Sequence, residues 1–232
     1  MAAQAAPARV VVIGVAHVVD LAVGLRRQLE ARPLDAIALE LDADRYRALL
    51  APAGDGNRRG GGPLLLRLWG QMQQRLGDEL GAGAGAEMRT AAQIAGERKL
   101  PVLLIDDPIR ETLARLVRSL SVKERLTILT GAVVGLFIPA PLVKGQIEAY
   151  RAEPASYLDE LRQAMPGVAR VLLDDRNEHM AARLAEAQRR GLPRLAAVVG
   201  DAHLPGLCAA LAKLGVATEQ IPFSSLAGPR AP

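Results

Sequence analysis

VIGVAH, residues Val12–His17, recurs near the other end of the chain as VVGDAH, residues Val198–His203. Each copy has the apolar run of a buried strand, then a glycine, a small residue and a histidine, and a helical pattern follows. The glycine predicts a sharp turn out of the sheet, which presents the histidine at the carboxyl end of its strand. Two of the three histidines of the chain occupy this one context. The pair is therefore the main functional candidate in the sequence.

Strand and helix patterns alternate around the two copies of this phrase. Residues after Gln220 predict a further edge strand, and helical spacing fills the intervals between the strands. This alternation predicts an α/β fold, with a mostly parallel central sheet flanked by helices; a mixed sheet is left open. At 232 residues we expect a single domain over 1–232 with a helical insertion at about 109–165. The apolar runs that predict strands are Arg9–Gly14, Asp35–Leu41, Pro101–Ile105, Val168–Leu173 and Leu195–Gly200.

Composition narrows the classes of protein that the chain can belong to. Half of the residues are hydrophobic, as in globular proteins, and the single cysteine, Cys208, excludes a disulfide framework and fits a reducing compartment. The net charge of +4 comes from scattered arginines without interleaved aromatics, so we expect no nucleic-acid partner. One membrane-like stretch, Leu126–Val143, is interrupted by prolines and predicts a buried helix rather than a membrane span. Without a signal peptide, a cytoplasmic location is expected, and a homo-oligomer is left open.

The residue types at the strand ends point to metal or acid–base chemistry. Two imidazoles on neighbouring strands, His17 and His203, suit a divalent ion or an acid–base pair. Glu40 ends an apolar strand and should project at the same sheet edge, where a carboxylate could ligate the ion or act as a general base. The alternative for Glu40 is a helix-capping acid or an ion pair with Arg45. Histidine with carboxylate suits Zn, Mn or Co, and the sequence does not choose among them.

Short motifs lie in a fixed order at Gly14–His17, Glu40–Asp42, Gly85–Met88, Leu104–Asp106, Asp175–Asn177 and Val198–Gly206. Together they resemble the TraB/PrgY family and extend over nearly the whole chain. The resemblance implies kinship with GumN-like proteins, Tiki proteases, erythromycin esterases and haem-binding ChaN proteins, which share an α/β fold with the active site at one sheet edge. In Tiki-like members the paired Gly-x-x-His motifs go with a divalent metal and peptide hydrolysis.

The resemblance implies a metal-dependent, peptidase-like hydrolase that acts on a peptide or small molecule. Val15 and Val19 stand where the family often has hydroxyl-bearing residues, and this favours an alternative: a non-catalytic protein that binds a peptide or small ligand, as in pheromone shutdown. A third hypothesis is a haem-binding module with a histidine as axial ligand. The residues carried over are His17, His203 and Glu40 as metal ligands, with Glu40, Arg45, Glu87 and Arg176 as catalytic candidates.

Overall fold

A computed structural model describes residues 9–15, 21–51, 85–127 and 154–226 of the chain. These residues divide into two compact units, one formed by 1–106 with 178–232 and the other by 107–177. The predicted insertion at about 109–165 lies within the second unit, and the single domain over 1–232 stays a prediction.

The first unit is built on a parallel sheet. Among the described residues the sheet has five strands in the order β3-β2-β4-β1-β5, and every pairing is parallel. The predicted α/β fold is therefore confirmed, in its all-parallel form. The strands are β1 (Arg9–Val15), β2 (Ala36–Leu39), β3 (Val102–Leu104), β4 (Arg194–Gly200) and β5 (Thr218–Ile221).

Helices cover both faces of this sheet, because nearly continuous apolar strands must be buried on both sides. In β1, Val11 and Ile13 point to one face, while Val10 and Val12 point to the other. Helices α1 (Ala22–Glu30) and α3 (Ala86–Glu97) pack on the first face. The second face is covered from Glu178 onward by α7 (Asp175–Arg189) and by α8 (Leu204–Lys213). The short helix α2 (Ala43–Leu50) follows β2.

The order of the strands makes the carboxyl end of β4 a topological switch point of the sheet. This strand lies between β1 and β2, whose connections run over the first face, whereas its own connection to β5 runs over the second. Ligands of open α/β sheets bind where neighbouring connections diverge in this way. The carboxyl end of β4 is followed by a 3₁₀ turn, Asp201–His203, that contains the second histidine of the repeated phrase.

The second unit contains α4 (Ile109–Ser119), α5 (Pro154–Ala164) and α6 (Pro166–Ala169). The prediction of a strand at Val168–Leu173 is wrong, since α6 is followed by a π-helix at Arg170–Asp174. An apolar run of this length cannot be assigned by periodicity alone. Pro166, at the first turn of α6, is the residue of this segment that indicates the start of a helix. The fifth strand, β5, begins at Thr218, three residues before the edge segment predicted after Gln220.

Candidate functional site

The carboxyl ends of β1, β2 and β4 meet at one edge of the sheet. The register pairs Leu39 of β2 with Val198 of β4, and it pairs Val15 of β1 with Gly200. The backbone N–H of Glu40 also donates to the carbonyl of Val198, at 3.1 Å. The residues that follow these strands are thus brought together, as the sequence predicts for Glu40 and the second histidine.

Glu40 and His203 form a buried pair at this edge. Oε1 of Glu40 lies 3.3 Å from Nε2 of His203, and the side chains are only 12% and 5% exposed, respectively. The other carboxylate oxygen, Oε2, accepts a hydrogen bond of 2.6 Å from the backbone N–H of Gly200. Bonds from backbone donors to a carboxylate are among the stronger hydrogen bonds of proteins. Gly200 therefore fixes one oxygen of Glu40 and leaves the other facing the imidazole.

The donor atoms of this pair are suited to a divalent ion. Two ligands at the usual Zn–N and Zn–O distances from one tetrahedral ion lie about 3.4 Å apart, close to the 3.3 Å that separates Nε2 from Oε1. No group of three or more His, Cys, Asp or Glu side chains that could hold a metal is found among residues 9–15, 21–51, 85–127 and 154–226. His17, the third predicted ligand, lies outside the described residues. The set of His17, Glu40 and His203 remains a prediction.

Asp201 is a buried acid that sequence reasoning missed. It is 9% exposed, and its Oδ1 accepts a 3.1 Å hydrogen bond from the backbone N–H of Phe223. Burial raises the pKa of this carboxyl, and the bond from Phe223 opposes the shift. The signal was the one polar difference between the repeated phrases, an aspartate where the first copy has Val15.

The two glycines of the repeated phrase have roles other than the predicted sharp turn. Gly200 has φ −58° and ψ 137°, a conformation that any residue adopts. Gly14 lies within β1, and a Cβ placed on it would come within 2.2 Å of Oδ1 of Asp201. Gly14 is therefore required by the close approach of the Asp201 carboxyl.

Arg45 joins two buried acids beside the pair. Asp42 caps α2 by accepting from the backbone N–H groups of Asp44 and Arg45, at 2.8 and 2.9 Å. Nε of Arg45 donates to Asp42 at 2.7 Å, and its Nη2 donates to Asp106, whose side chain is 2% exposed. Burial raises the pKa of Asp42, but the hydrogen bonds from Arg45 outweigh it and hold the pKa below its ordinary value. The partners found for Arg45 are thus Asp42 and Asp106, whereas the alternative expectation paired it with Glu40.

The sequence profile of the TraB/PrgY/gumN family matches residues 2–220, nearly the whole chain. The chain belongs to the TraB/PrgY/gumN family. The predicted resemblance is thereby confirmed. The chain is also similar to the uncharacterized protein MJ1365 of Methanocaldococcus jannaschii, with 32% identity over 146 residues. That match covers 61% of this chain and 36% of the relative, so the chain spans much less than the full length of the protein it resembles.

Two further residues were carried over from the TraB/PrgY/gumN family, and each is described within its own unit. Glu87 lies in the first turn of α3 in the first unit and is only 1% exposed. Gly85, directly before this helix, has φ +87°. Arg176 belongs to the second unit, where its Nη1 donates to the carbonyl of Leu172 at 3.2 Å. A catalytic role of either residue remains a prediction.

In the described part of the chain, no helix is both long and apolar enough to cross a membrane. Of the membrane-like stretch Leu126–Val143, only the first two residues fall in that part.

Proposed function

We propose that the protein is a metal-dependent hydrolase that acts on peptides, with a divalent ion held by His203, Glu40 and His17. The observation that carries the proposal is the buried contact of 3.3 Å between Oε1 of Glu40 and Nε2 of His203. Burial of an acid beside an imidazole, at the switch point of an open α/β sheet, is typical of a binding or reactive centre. Membership in the TraB/PrgY/gumN family supports the same assignment through the resemblance to Tiki-like proteases.

The ion would supply a Lewis acid and a bound water of lowered pKa. The two oxygens of Glu40 have different roles, because Oε2 is held by the N–H of Gly200. Only Oε1 is placed to ligate the ion or to take the proton of an attacking water. His203, the N-cap residue of α8, keeps its imidazole in place through the burial of its side chain. The Gly200 N–H thereby orients the acid that faces the imidazole.

A turnover assay with matched variants tests this proposal. The full-length protein, loaded with Zn, Mn or Co, is incubated with a fluorescence-quenched peptide library. We expect cleavage that a chelator abolishes and that Glu40→Gln reduces at least about a hundredfold, because the amide cannot take up a proton. Asp35→Asn is the control, since the same isosteric change is then made directly before β2, at its opposite end.

Two results would contradict the proposal. One is cleavage that persists in Glu40→Gln or after removal of metal. The other is tight binding of peptides without product over a long incubation, which would favour the alternative of sequestration without catalysis.

A further inference from the structure

The two edges of the sheet differ in chemistry. Among the described strands, β5 forms one edge, and its Glu219 makes ion pairs with Arg9 and Arg32. A charged residue of this kind protects an edge strand against pairing with another chain. The other edge, β3, reads Val102–Leu104 with no charged residue, and all three of its residues are half-buried. An apolar strand at an open edge is a template for another strand.

The ladder to β2 shows which backbone groups of this edge point outward. The carbonyl of Pro101 accepts from Ile37 of β2, and the N–H of Ile105 donates to Leu39. Because bonding alternates along a parallel strand, Val102 and Leu104 direct their N–H and C=O groups away from β2. Nη2 of Arg183 reaches the carbonyl of Leu104 at 3.4 Å from this outer side, which agrees with the alternation.

A groove of about 320 Å³ runs beside this edge, at the lower end of the range for ligand sites. One wall is the strand itself, from Val102 to Ile105, and the other is a stripe along α7 and the residue directly after it. The two middle members are adjacent in sequence, and each lies three or four residues from the first and the last member, so all four lie toward one side of the helix. They are Arg183, Glu186, Ala187 and Arg190.

The charge of the groove is positive. Within the described residues, the only hydrogen bond found for Arg183, which is exposed, is the one to the carbonyl of Leu104, and no ion pair is found for it. Glu186 is shared between Arg189 and Arg190, at 2.5 and 2.7 Å, so one carboxylate faces two guanidinium groups. A bound peptide with acidic side chains facing α7 would neutralise the excess positive charge of the groove.

We propose that the β3 edge binds an extended acidic peptide as an additional strand, with its acidic side chains toward Arg183 and Arg190. The peptide class rests on the proposed function, of which this edge would be the substrate-binding part. Leu104 is level with Leu39, the residue before Glu40, and an added strand would lie about 10 Å from β2. A peptide bound along β3 would therefore end at the same carboxyl edge of the sheet as the Glu40–His203 pair.

Amide hydrogen exchange on the full-length protein tests this inference. The probe is a labelled six-residue peptide of alternating glutamate and valine, and its control carries lysine for glutamate. We expect the probe to protect the N–H groups of Val102 and Leu104, while Leu103, already bonded to β2, is unchanged. Methylation of the peptide nitrogens that face β3 should abolish binding, and methylation of the alternate nitrogens should not.

A charge swap supplies the matched protein control. The double variant Arg183→Glu, Arg190→Glu should bind the glutamate peptide about tenfold more weakly and should now prefer the lysine peptide. Equal binding of the two peptides, or protection at β5 instead, would overturn the inference. Protection of the β3 amides that depends on protein concentration alone would also overturn it, because a second copy of the chain would then be the occupant.

Binding of a peptide at the β3 edge and hydrolysis at the Glu40–His203 pair can be refuted independently of each other. In His203→Ala, the peptide should still protect the N–H groups of Val102 and Leu104. Loss of turnover with this protection retained therefore bears on the proposed hydrolase activity and not on the binding edge. If the parent protein never cleaves a peptide but shows this protection, the binding edge stands without the hydrolase. If it cleaves acidic peptides and the charge-swap variant keeps the same KM, the hydrolase stands without the edge.

Discussion

Replacing Gly14 by alanine tests how the strand edge is assembled. The new Cβ would lie 2.2 Å from Oδ1 and 3.2 Å from the Cα of Asp201. Neither atom is the end of a long side chain, so the Asp201 carboxyl has to rotate away. That rotation breaks its bond to the backbone N–H of Phe223, a buried residue. The perturbation therefore combines overpacking with the loss of an acceptor for a buried donor.

The two costs can be estimated separately. An extra methyl group in a packed interior costs about 1–3 kcal/mol, and a buried N–H without its partner costs about 1–3 kcal/mol. We expect Gly14→Ala to reduce the free energy of unfolding by about 2–6 kcal/mol. Gly200→Ala is the matched control: its nearest new contact is 3.4 Å, to Oε2 of Glu40. Its effect should stay within about 1 kcal/mol.

Urea denaturation of four proteins measures the effect: the parent, Gly14→Ala, Asp201→Ala and the double variant. In the background of Asp201→Ala, the alanine at position 14 meets no carboxylate, so it should cost less than about 1 kcal/mol. Equal costs of Gly14→Ala in both backgrounds would refute the reasoning. A cost for Gly200→Ala as large as that for Gly14→Ala would also refute it.

Three further predictions concern other parts of the first unit. Hydrogen bonds from Arg194 hold the pKa of Asp35 below its ordinary value. The ionised carboxylate therefore stabilises the fold fully above the ordinary pKa, and this stabilisation is lost as the pH falls through the lowered pKa. In acid denaturation, the free energy of unfolding of Asp35→Asn should decline less steeply with pH than that of the parent, and an unchanged profile would contradict this. Arg45→Lys should destabilise by about 1–3 kcal/mol in urea, since one ammonium cannot serve two separate buried carboxylates; a neutral result would count against the cluster. Gly85→Ala should lower the free energy of unfolding by about 1–2 kcal/mol, because Gly85 has a positive φ. Gly96→Ala should raise it by about 0.5–1 kcal/mol, because no atom lies within 4 Å of the new Cβ. Effects of the same sign in the two variants would contradict these roles of the two glycines.

Much of the fold follows from the sequence, because buried parallel strands carry a strong local signal. The runs at Val10–Gly14 and Leu195–Gly200 are apolar throughout, and each is followed by a helical pattern. This combination requires helices on both faces of a sheet. The meeting of Glu40 with His203 could also be predicted, since residues after parallel strands share an edge.

Other features depend on contacts that no local pattern encodes. At Val168–Leu173 the apolar run fits a strand as well as a buried helix, and helical packing in the second unit prevailed. The partners of Arg45 are also nonlocal, because Asp106 is distant in sequence and arrives through the pairing of β3 with β2. The role of Gly14 depends on the side chain of Asp201, which directly follows the neighbouring strand β4. Sequence reasoning assigned that glycine to a turn because it considered one strand at a time.

The central claim is that Glu40 and His203 hold a divalent ion, and metal content measured by elemental mass spectrometry tests it most directly. Purified parent protein is compared with His17→Ala, His203→Ala and Glu40→Gln, with His179→Ala as the control histidine. We predict close to one equivalent of metal in the parent and in the control, and loss of metal in the other three variants with their helical circular dichroism intact. Absence of metal from the parent after reconstitution, or its retention in His203→Ala, would contradict the claim.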